Sequence, residues 1–279
     1  PVTFNIYSPT HEYVKSKTLA GYTDILKKFP DFELKVEPGV LREAQITGVL
    51  GGNALGKTTF IKMIAGLEKL DKGKISTEAK ISYKPQYLSS DYNGTVKMLL
   101  DESSSGDYET GAIESTLILP LGVQKLYKKE VSDLSGGELQ KVAVLTCLMR
   151  DVDVYALDEP SAFIDIEDRI VLARAMNRFV KSQGKSALIV DHDIQLVDIV
   201  SDSLLIFSGQ PGISGTASKL MNKEEGMNTF LQNLGVTYRR DIDTGRPRVN
   251  KTGSKLDRKQ KDEKTYYYLT REPQKAQQE

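Results

Sequence analysis

An α/β fold on a mostly parallel sheet, covered by helices on both faces, is what this sequence predicts. Three observations carry that expectation. Apolar runs at residues 152–157, 186–190 and 204–207 alternate with helix-like stretches at 168–180 and 194–200. Uninterrupted apolar strands of this kind belong to parallel sheets buried on both sides. A glycine-rich turn, Gly51-Gly52-Asn53-Ala54-Leu55-Gly56-Lys57-Thr58, lies between an apolar strand and a helix. Between residues 88 and 150 strand signals fade, so a helical lobe is expected to interrupt the core.

Each element follows in order. Phe32-Glu33-Leu34-Lys35-Val36 alternates apolar and polar positions, Pro38-Gly39 turns, and Ile46-Thr47-Gly48-Val49-Leu50 runs into the glycine turn. The pattern reads strand, turn, buried strand, loop. Phe60, Ile61, Met63, Ile64 and Leu67 then recur at helical spacing and stop near Gly66. Residues 75–83 read as a second hairpin, ending at Lys84-Pro85-Gln86. The lobe opens with an acidic, Ser-rich loop (Asp101-Glu102-Ser103-Ser104-Ser105-Gly106-Asp107), continues as amphipathic helices, and closes with a helix over about 138–150. The resulting organisation is a core at 1–87 and 151–236, a helical lobe at 88–150, and a tail at 237–279. The polar middle of that tail, 250–264, has little to bury and is expected to be extended or mobile.

Composition narrows the function classes. Residues 239–279 hold twelve Lys/Arg against seven Asp/Glu, a net +5, which leaves −5 on residues 1–238. The tail is either a solvated end or a basic surface that meets an anionic partner such as RNA. Cys147 is the only cysteine, so this chain alone holds neither an internal disulfide nor an iron–sulfur cluster; its apolar surroundings make it a buried, inert thiol. No stretch has the apolar length of a membrane span, and residues 1–5 lack a signal-peptide pattern. The expectation is a soluble, cytoplasmic protein without a membrane partner. A chain that opens at Pro1 is read as a piece of something longer.

The glycine turn is a G-x-x-x-x-G-K-T phosphate loop. Gly51 and Gly56 let the backbone curl so that successive N–H groups face inward, and the following helix adds its positive end. Gly51, Gly52, Asn53, Ala54, Leu55, Gly56, Lys57, Thr58 and Thr59 are therefore expected to hold the nucleotide's phosphates, with Thr58 also ligating Mg²⁺. A buried strand then ends at Asp158-Glu159-Pro160. Asp158 fits a carboxylate holding Mg²⁺ through water, and Glu159 fits the group that polarises the attacking water. Gln86, at the start of the lobe, is either a third Mg²⁺ ligand or an ordinary turn glutamine. Tyr22, upstream of the loop, either stacks on adenine or simply packs. His192 stands one strand beyond the Asp-Glu pair and is either a structural histidine or a group that meets the γ-phosphate; His11 has no such setting.

Leu134-Ser135-Gly136-Gly137-Glu138 is the LSGGE signature, and it lies between the phosphate loop and the Asp-Glu pair. That order identifies an ATP-binding cassette fold: a mostly parallel P-loop NTPase core with an antiparallel β portion and a helical lobe, here followed by a C-terminal tail that a family resemblance likens to a hinge. Ser135, Gly136 and Gly137 open a helix and so favour an anion. Their separation from Lys57 in the chain argues that the two motifs serve different nucleotides. The expected assembly is two cassettes head to tail, each signature closing on the ATP held by the opposite phosphate loop. Asp165, in Ser161-Ala162-Phe163-Ile164-Asp165, sits where cassette proteins carry a loop that crosses such an interface.

The chain resembles the second nucleotide-binding domain of the subfamily E cassette ATPases, the RNase L inhibitors or ribosome-recycling factors of archaea and eukaryotes. The resemblance covers nearly the whole length. It rests on Ser82-Tyr83-Lys84-Pro85-Gln86, on Leu134-Ser135-Gly136-Gly137-Glu138-Leu139-Gln140-Lys141-Val142-Ala143, on Asp158-Glu159-Pro160-Ser161-Ala162-Phe163-Ile164-Asp165, and on the tail Thr237-Tyr238-Arg239-Arg240-Asp241 with Arg246-Pro247-Arg248-Val249-Asn250-Lys251. It implies a cytoplasmic ATP hydrolase, dependent on Mg²⁺, whose closure against a second cassette splits ribosomal subunits. The implied partners are that cassette (in the same full-length chain or a second copy), ribosomal subunits and their rRNA, and a release or rescue factor. Two positions depart from the family: Ala54 stands where glycine is usual and bears on loop geometry, and Asp191 replaces Glu before His192 with no expected consequence. Against this stand the ATPase subunit of a membrane transporter, which leaves the Arg-Pro-Arg tail unexplained, and a chromosome-structure ATPase, which would carry long heptads here. A binding scaffold that barely hydrolyses ATP fits less well with Glu159 and His192 both in place.

Overall fold

The computed structural model describes residues 16–86, 89–104, 108, 111–240 and 247–268; His11, Asp241, Arg246 and the tail beyond Tyr268 lie outside them. Backbone contacts divide the chain into two units, one reaching to Lys223 and one from Glu224 onward.

The first unit begins with β1 (Thr18–Tyr22), β2 (Ile25–Lys28), β3 (Glu33–Val36), β4 (Gly39–Arg42) and β5 (Ile46–Gly51). Helix α1 (Lys57–Ile64) follows, then β6 (Ile75–Thr77) and β7 (Ile81–Lys84). The lobe comprises α2 (Val96–Ser103), α3 (Gly111–Ile113), a π-helical turn at Glu114–Ile118, α4 (Leu119–Leu121), two 3₁₀ turns, and α5 (Gly136–Leu148). The core resumes with β8 (Val154–Asp158), α6 (Ile166–Ser182), β9 (Ser186–Val190), α7 (Ile194–Val200), β10 (Ser203–Gln210), β11 (Ser214–Ala217) and β12 (Met221–Asn222).

The main sheet runs β2-β3-β11-β10-β5-β9-β8-β7, with β12 on β10. From β10 to β7 every pairing is parallel. Strands β5, β8 and β9 are buried at every residue, as their continuous apolar sequence requires. A separate three-stranded antiparallel sheet, β4-β1-β6, supplies the expected antiparallel portion. Phe60, Ile61, Met63 and Ile64 of α1 share one apolar cluster with Ala20 and Leu41 of that sheet and Val49, Val154 and Leu205 of the main sheet. The helix behind the phosphate loop is thus fixed on two sides. Cys147 is buried, 3.2 Å from Ser82 Oγ, and burial pushes its pKa up to about 11. It is inert, as expected.

Two expectations need correction. Residues 75–83 do not form a hairpin: β6 pairs with β1 and β7 with β8, so the two runs join different sheets. A tight turn does occur earlier, where Phe29 and Phe32 exchange backbone hydrogen bonds between β2 and β3.

The second correction lies in the second unit. There α8 (Lys223–Leu234) is followed by β13 (Tyr238–Arg240), β14 (Pro247–Val249), α9 (Lys255–Asp262) and β15 (Tyr267–Tyr268). The strands form a sheet in the order β14-β13-β15. Residues 250–264 are therefore folded around α9 and are not an extended stretch. This helix buries polar groups rather than apolar ones. Thr237 Oγ1 donates to Asp257 Oδ1 (2.7 Å), and Asn250 Nδ2 to Thr237 Oγ1 (2.8 Å). Gln260 Nε2 donates to the carbonyls of Tyr238 (3.1 Å) and Thr265 (2.8 Å). Ser254 caps α9 by accepting from Asp257 N.

Candidate nucleotide site

The phosphate loop leaves the buried end of β5 and turns into α1 through Gly56, whose φ of 92° is left-handed. Ala54 has φ 56°, the same region, which disfavours any residue with a Cβ by about 1 kcal/mol. The position where the family carries glycine is thus one whose backbone asks for it. Lys57 is 6% exposed and donates to the carbonyls of Gly51 (3.0 Å) and Gly52 (2.6 Å). Burial lowers its pKa, opposed by the nearby Glu159 and Asp158 carboxylates. The ammonium lies against the loop whose N–H groups would receive phosphate oxygens.

Asp158, the last residue of β8, is fully buried and neither carboxylate oxygen has a hydrogen-bond partner of normal geometry. Burial raises its pKa, and the neighbouring Thr58 side chain acts against that rise. A buried carboxylate with both oxygens orphaned, beside a threonine hydroxyl, is the donor set a hard divalent cation needs. The residues present fit Mg²⁺. Gln86 is half-buried two residues beyond β7.

Glu159 follows in a left-handed conformation, φ 49°. Its Oε1 lies 3.2 Å from His192 Nε2, so carboxylate and imidazole stand together. Around His192 the structure also finds what the sequence reading missed. Asp191, 3% exposed, accepts from Ser161 N (3.0 Å), Ser161 Oγ (2.8 Å) and Asp193 N (2.8 Å). It ties the His192 loop to the loop that carries Asp165. Asp193 caps α7 and accepts from Arg169 Nη1 at 2.9 Å. Asp191 thus braces the loop that carries His192.

Tyr22 is corrected to a packing residue. It is 5% exposed, its ring meets Phe60 edge-on at 5.4 Å, and a Cβ on Gly39 would come within 2.3 Å of its hydroxyl. Burial pushes its pKa up. A ring enclosed in this way has no face to offer adenine. Phe29, 40% exposed, and Phe32 form a tilted aromatic pair 6.4 Å apart, and Phe32 reaches within 3.1 Å of where a Cβ on Gly56 would lie. The available signal was two aromatics flanking a Pro-Asp turn ahead of the glycine loop.

At the signature, Ser135 caps α5 in a reciprocal box: its Oγ accepts from Glu138 N (3.3 Å) and its N–H donates to Glu138 Oε2 (2.9 Å). Lys129 holds the same carboxylate at 2.7 Å. Glu138 thus anchors the helix start, while Ser135 and Gly136 are exposed and Leu134 and Gly137 half-buried. A Cβ on Gly137 would lie 2.8 Å from the carbonyl of Phe163; the glycine lets the 161–165 loop pack on the helix start. Phe163, at φ 62°, and Asp165 are both exposed there.

A phosphate loop, a buried carboxylate beside its threonine, and a capped signature helix define an ATP-binding cassette. The profile of the family described as ABC transporter matches residues 38–162. An ABC transporter ATP-binding protein of Methanocaldococcus jannaschii is 46% identical over 253 residues, 90% of this chain and 42% of that protein. ABC transporter E family member 3 of Arabidopsis thaliana is 37% identical over 170 residues, 58% of this chain and 93% of that protein. A solved structure described as ribosome-bound archaeal Pelota and ABCE1 superposes with a TM-score of 0.90 at 44% identity, over 96% of this chain and 45% of that one. The chain belongs to the E family of ABC proteins. It spans less than half the length of the first curated relatives it matches. Among the described residues no helix is long and apolar enough to cross a membrane.

Proposed function

We propose that this chain is one half of an ATP-driven clamp that splits ribosomal subunits in the cytoplasm. ATP lies on the phosphate loop, with the Phe29–Phe32 face toward adenine. Thr58, Asp158 and Gln86 would hold Mg²⁺, which supplies charge to the β- and γ-phosphates. Glu159 polarises the attacking water, and His192 orients the γ-phosphate beside it. Leu134, Ser135, Gly136 and Gly137 close on the ATP of a second cassette, with Asp165 in the interface and Glu138 bracing the cap. The second cassette is another copy or another part of the same protein.

The observation that carries the two-cassette reading is the exposed first turn of α5. Ser135 and Gly136 face outward beside the exposed Asp165, and the bonds of Ser135 run to Glu138. A helix start open to solvent favours an anion brought by another body. The ribosomal reading is supported by the family and by the ribosome-bound relative that accompanies Pelota. The second unit adds exposed Arg239, Arg248, Lys251, Lys255, Arg258 and Lys259, a surface suited to rRNA phosphates. Co-sedimentation with ribosomal subunits tests the reading. Binding is expected with a non-hydrolysable ATP analogue and a rescue factor; failure to pellet with subunits, or capture by a membrane permease, overturns it.

A further inference from the structure

Glu159 is fixed through its backbone as well as through its carboxylate. Its N–H donates to the Val190 carbonyl at 2.7 Å. Its own carbonyl accepts from two side chains on different elements. Gln140 Nε2, on α5, lies at 2.6 Å, and Lys84 Nζ, at the end of β7, at 3.3 Å. Lys84 is 2% exposed and also donates to the carbonyls of Pro85 (3.0 Å) and Asp158 (2.8 Å). Its three protons are thus spread over the backbone at the strand ends. Gln140 is fully buried, and its Oε1 has no partner. The flipped amide would set two carbonyl oxygens against each other, so the donor must face Glu159.

Gln140 rides on the signature helix, five residues beyond Ser135 and so about 7.5 Å along the axis. The helix is rigid over that length. Glu159, at φ 49°, sits in a narrow backbone well that offers a non-glycine residue little room to slide. We propose that Gln140 is a positioning residue that couples the signature helix to Glu159. A tilt of α5, as its first turn takes up the partner's nucleotide, moves the Glu159 carbonyl through Gln140 while Lys84 holds the strand end. The peptide turns, and the carboxylate is aimed at the attacking water. Hydrolysis thereby waits on closure at the signature. The inference rests on the proposed roles of Glu159 and of the α5 first turn.

The test is steady-state ATP hydrolysis by the full-length protein. Gln140→Met keeps the side-chain length and removes the donor; Gln140→Asn keeps the amide but falls one methylene short. Each is expected to lower kcat about tenfold with KM for ATP within about twofold. In a Glu159→Gln background the same changes are expected to leave the residual rate unaltered, because the group they aim is gone. An unchanged kcat, or equal fold-losses in both backgrounds, overturns the coupling. Should Gln140→Met lose its cooperative melt, Gln140→Asn decides on the same criteria. A Glu159→Gln protein that turns over normally overturns instead the reading of Glu159 on which the coupling stands.

Discussion

At Asp158-Glu159 two neighbouring carboxylates receive opposite treatment. Asp158 is buried with its oxygens orphaned, whereas Glu159 steps into a left-handed turn that brings it to His192. One suits a cation and the other a proton. Replacing Glu159 with Gln is accordingly expected to cut hydrolysis on the order of 10²-fold or more with ATP affinity intact, while Lys57→Ala weakens ATP binding itself. Rate and equilibrium binding measured side by side check both. These residues were legible because their motifs are local. Lys84 was not, since a lysine ending an apolar strand has no pattern to announce three carbonyl partners. Desolvation lowers its pKa to about 8 from an ordinary 10.5. Between those values the unfolded chain holds more protons than the folded one, so stability from this group rises with pH across that window and is flat below it. Chemical denaturation from pH 7 to 10.5 is expected to show that rise in the wild type and its loss in Lys84→Met, read as the difference between the two.

Elements were legible where apolar periodicity sets them. Strands β5, β8 and β9 and helices α1, α5, α6 and α7 fall close to where the sequence placed them. Helix α9 escaped because its buried side is Asp257 and Gln260, one turn apart, and polar burial leaves no apolar period to read. The supposed hairpin failed for another reason. Strands β6 and β7 look like local partners but take distant ones, β1 and β8, which strand propensity does not specify. The polar interior of the second unit makes its own prediction. Gln260→Leu strands the Tyr238 and Thr265 carbonyls and is expected to destabilise that unit by about 1–3 kcal/mol. Tyrosine near-UV dichroism during thermal unfolding, which reports the stacked Tyr238–Tyr267 pair, is the check.

On the scale of the whole molecule, the sequence showed two phosphate-handling motifs but not how each is braced. That bracing is long-range: Asp191 holds Ser161 thirty residues away, and Gln140 reaches Glu159 across nineteen. Three of the five non-glycine residues at positive φ among the described residues, Ala54, Glu159 and Phe163, lie at the phosphate loop, the strand end and the interface loop. Strain gathered at those places is what a site that must change shape on closing would store. The central claim is that one ATP is gripped by the phosphate loop of one cassette and the signature of another. It is tested most directly by ATP retained through rapid gel filtration by the Glu159→Gln full-length protein, with and without Ser135→Arg. Ser135→Arg is expected to abolish retention while initial nucleotide affinity stays intact; retention undiminished by Ser135→Arg would contradict a joint grip on one ATP.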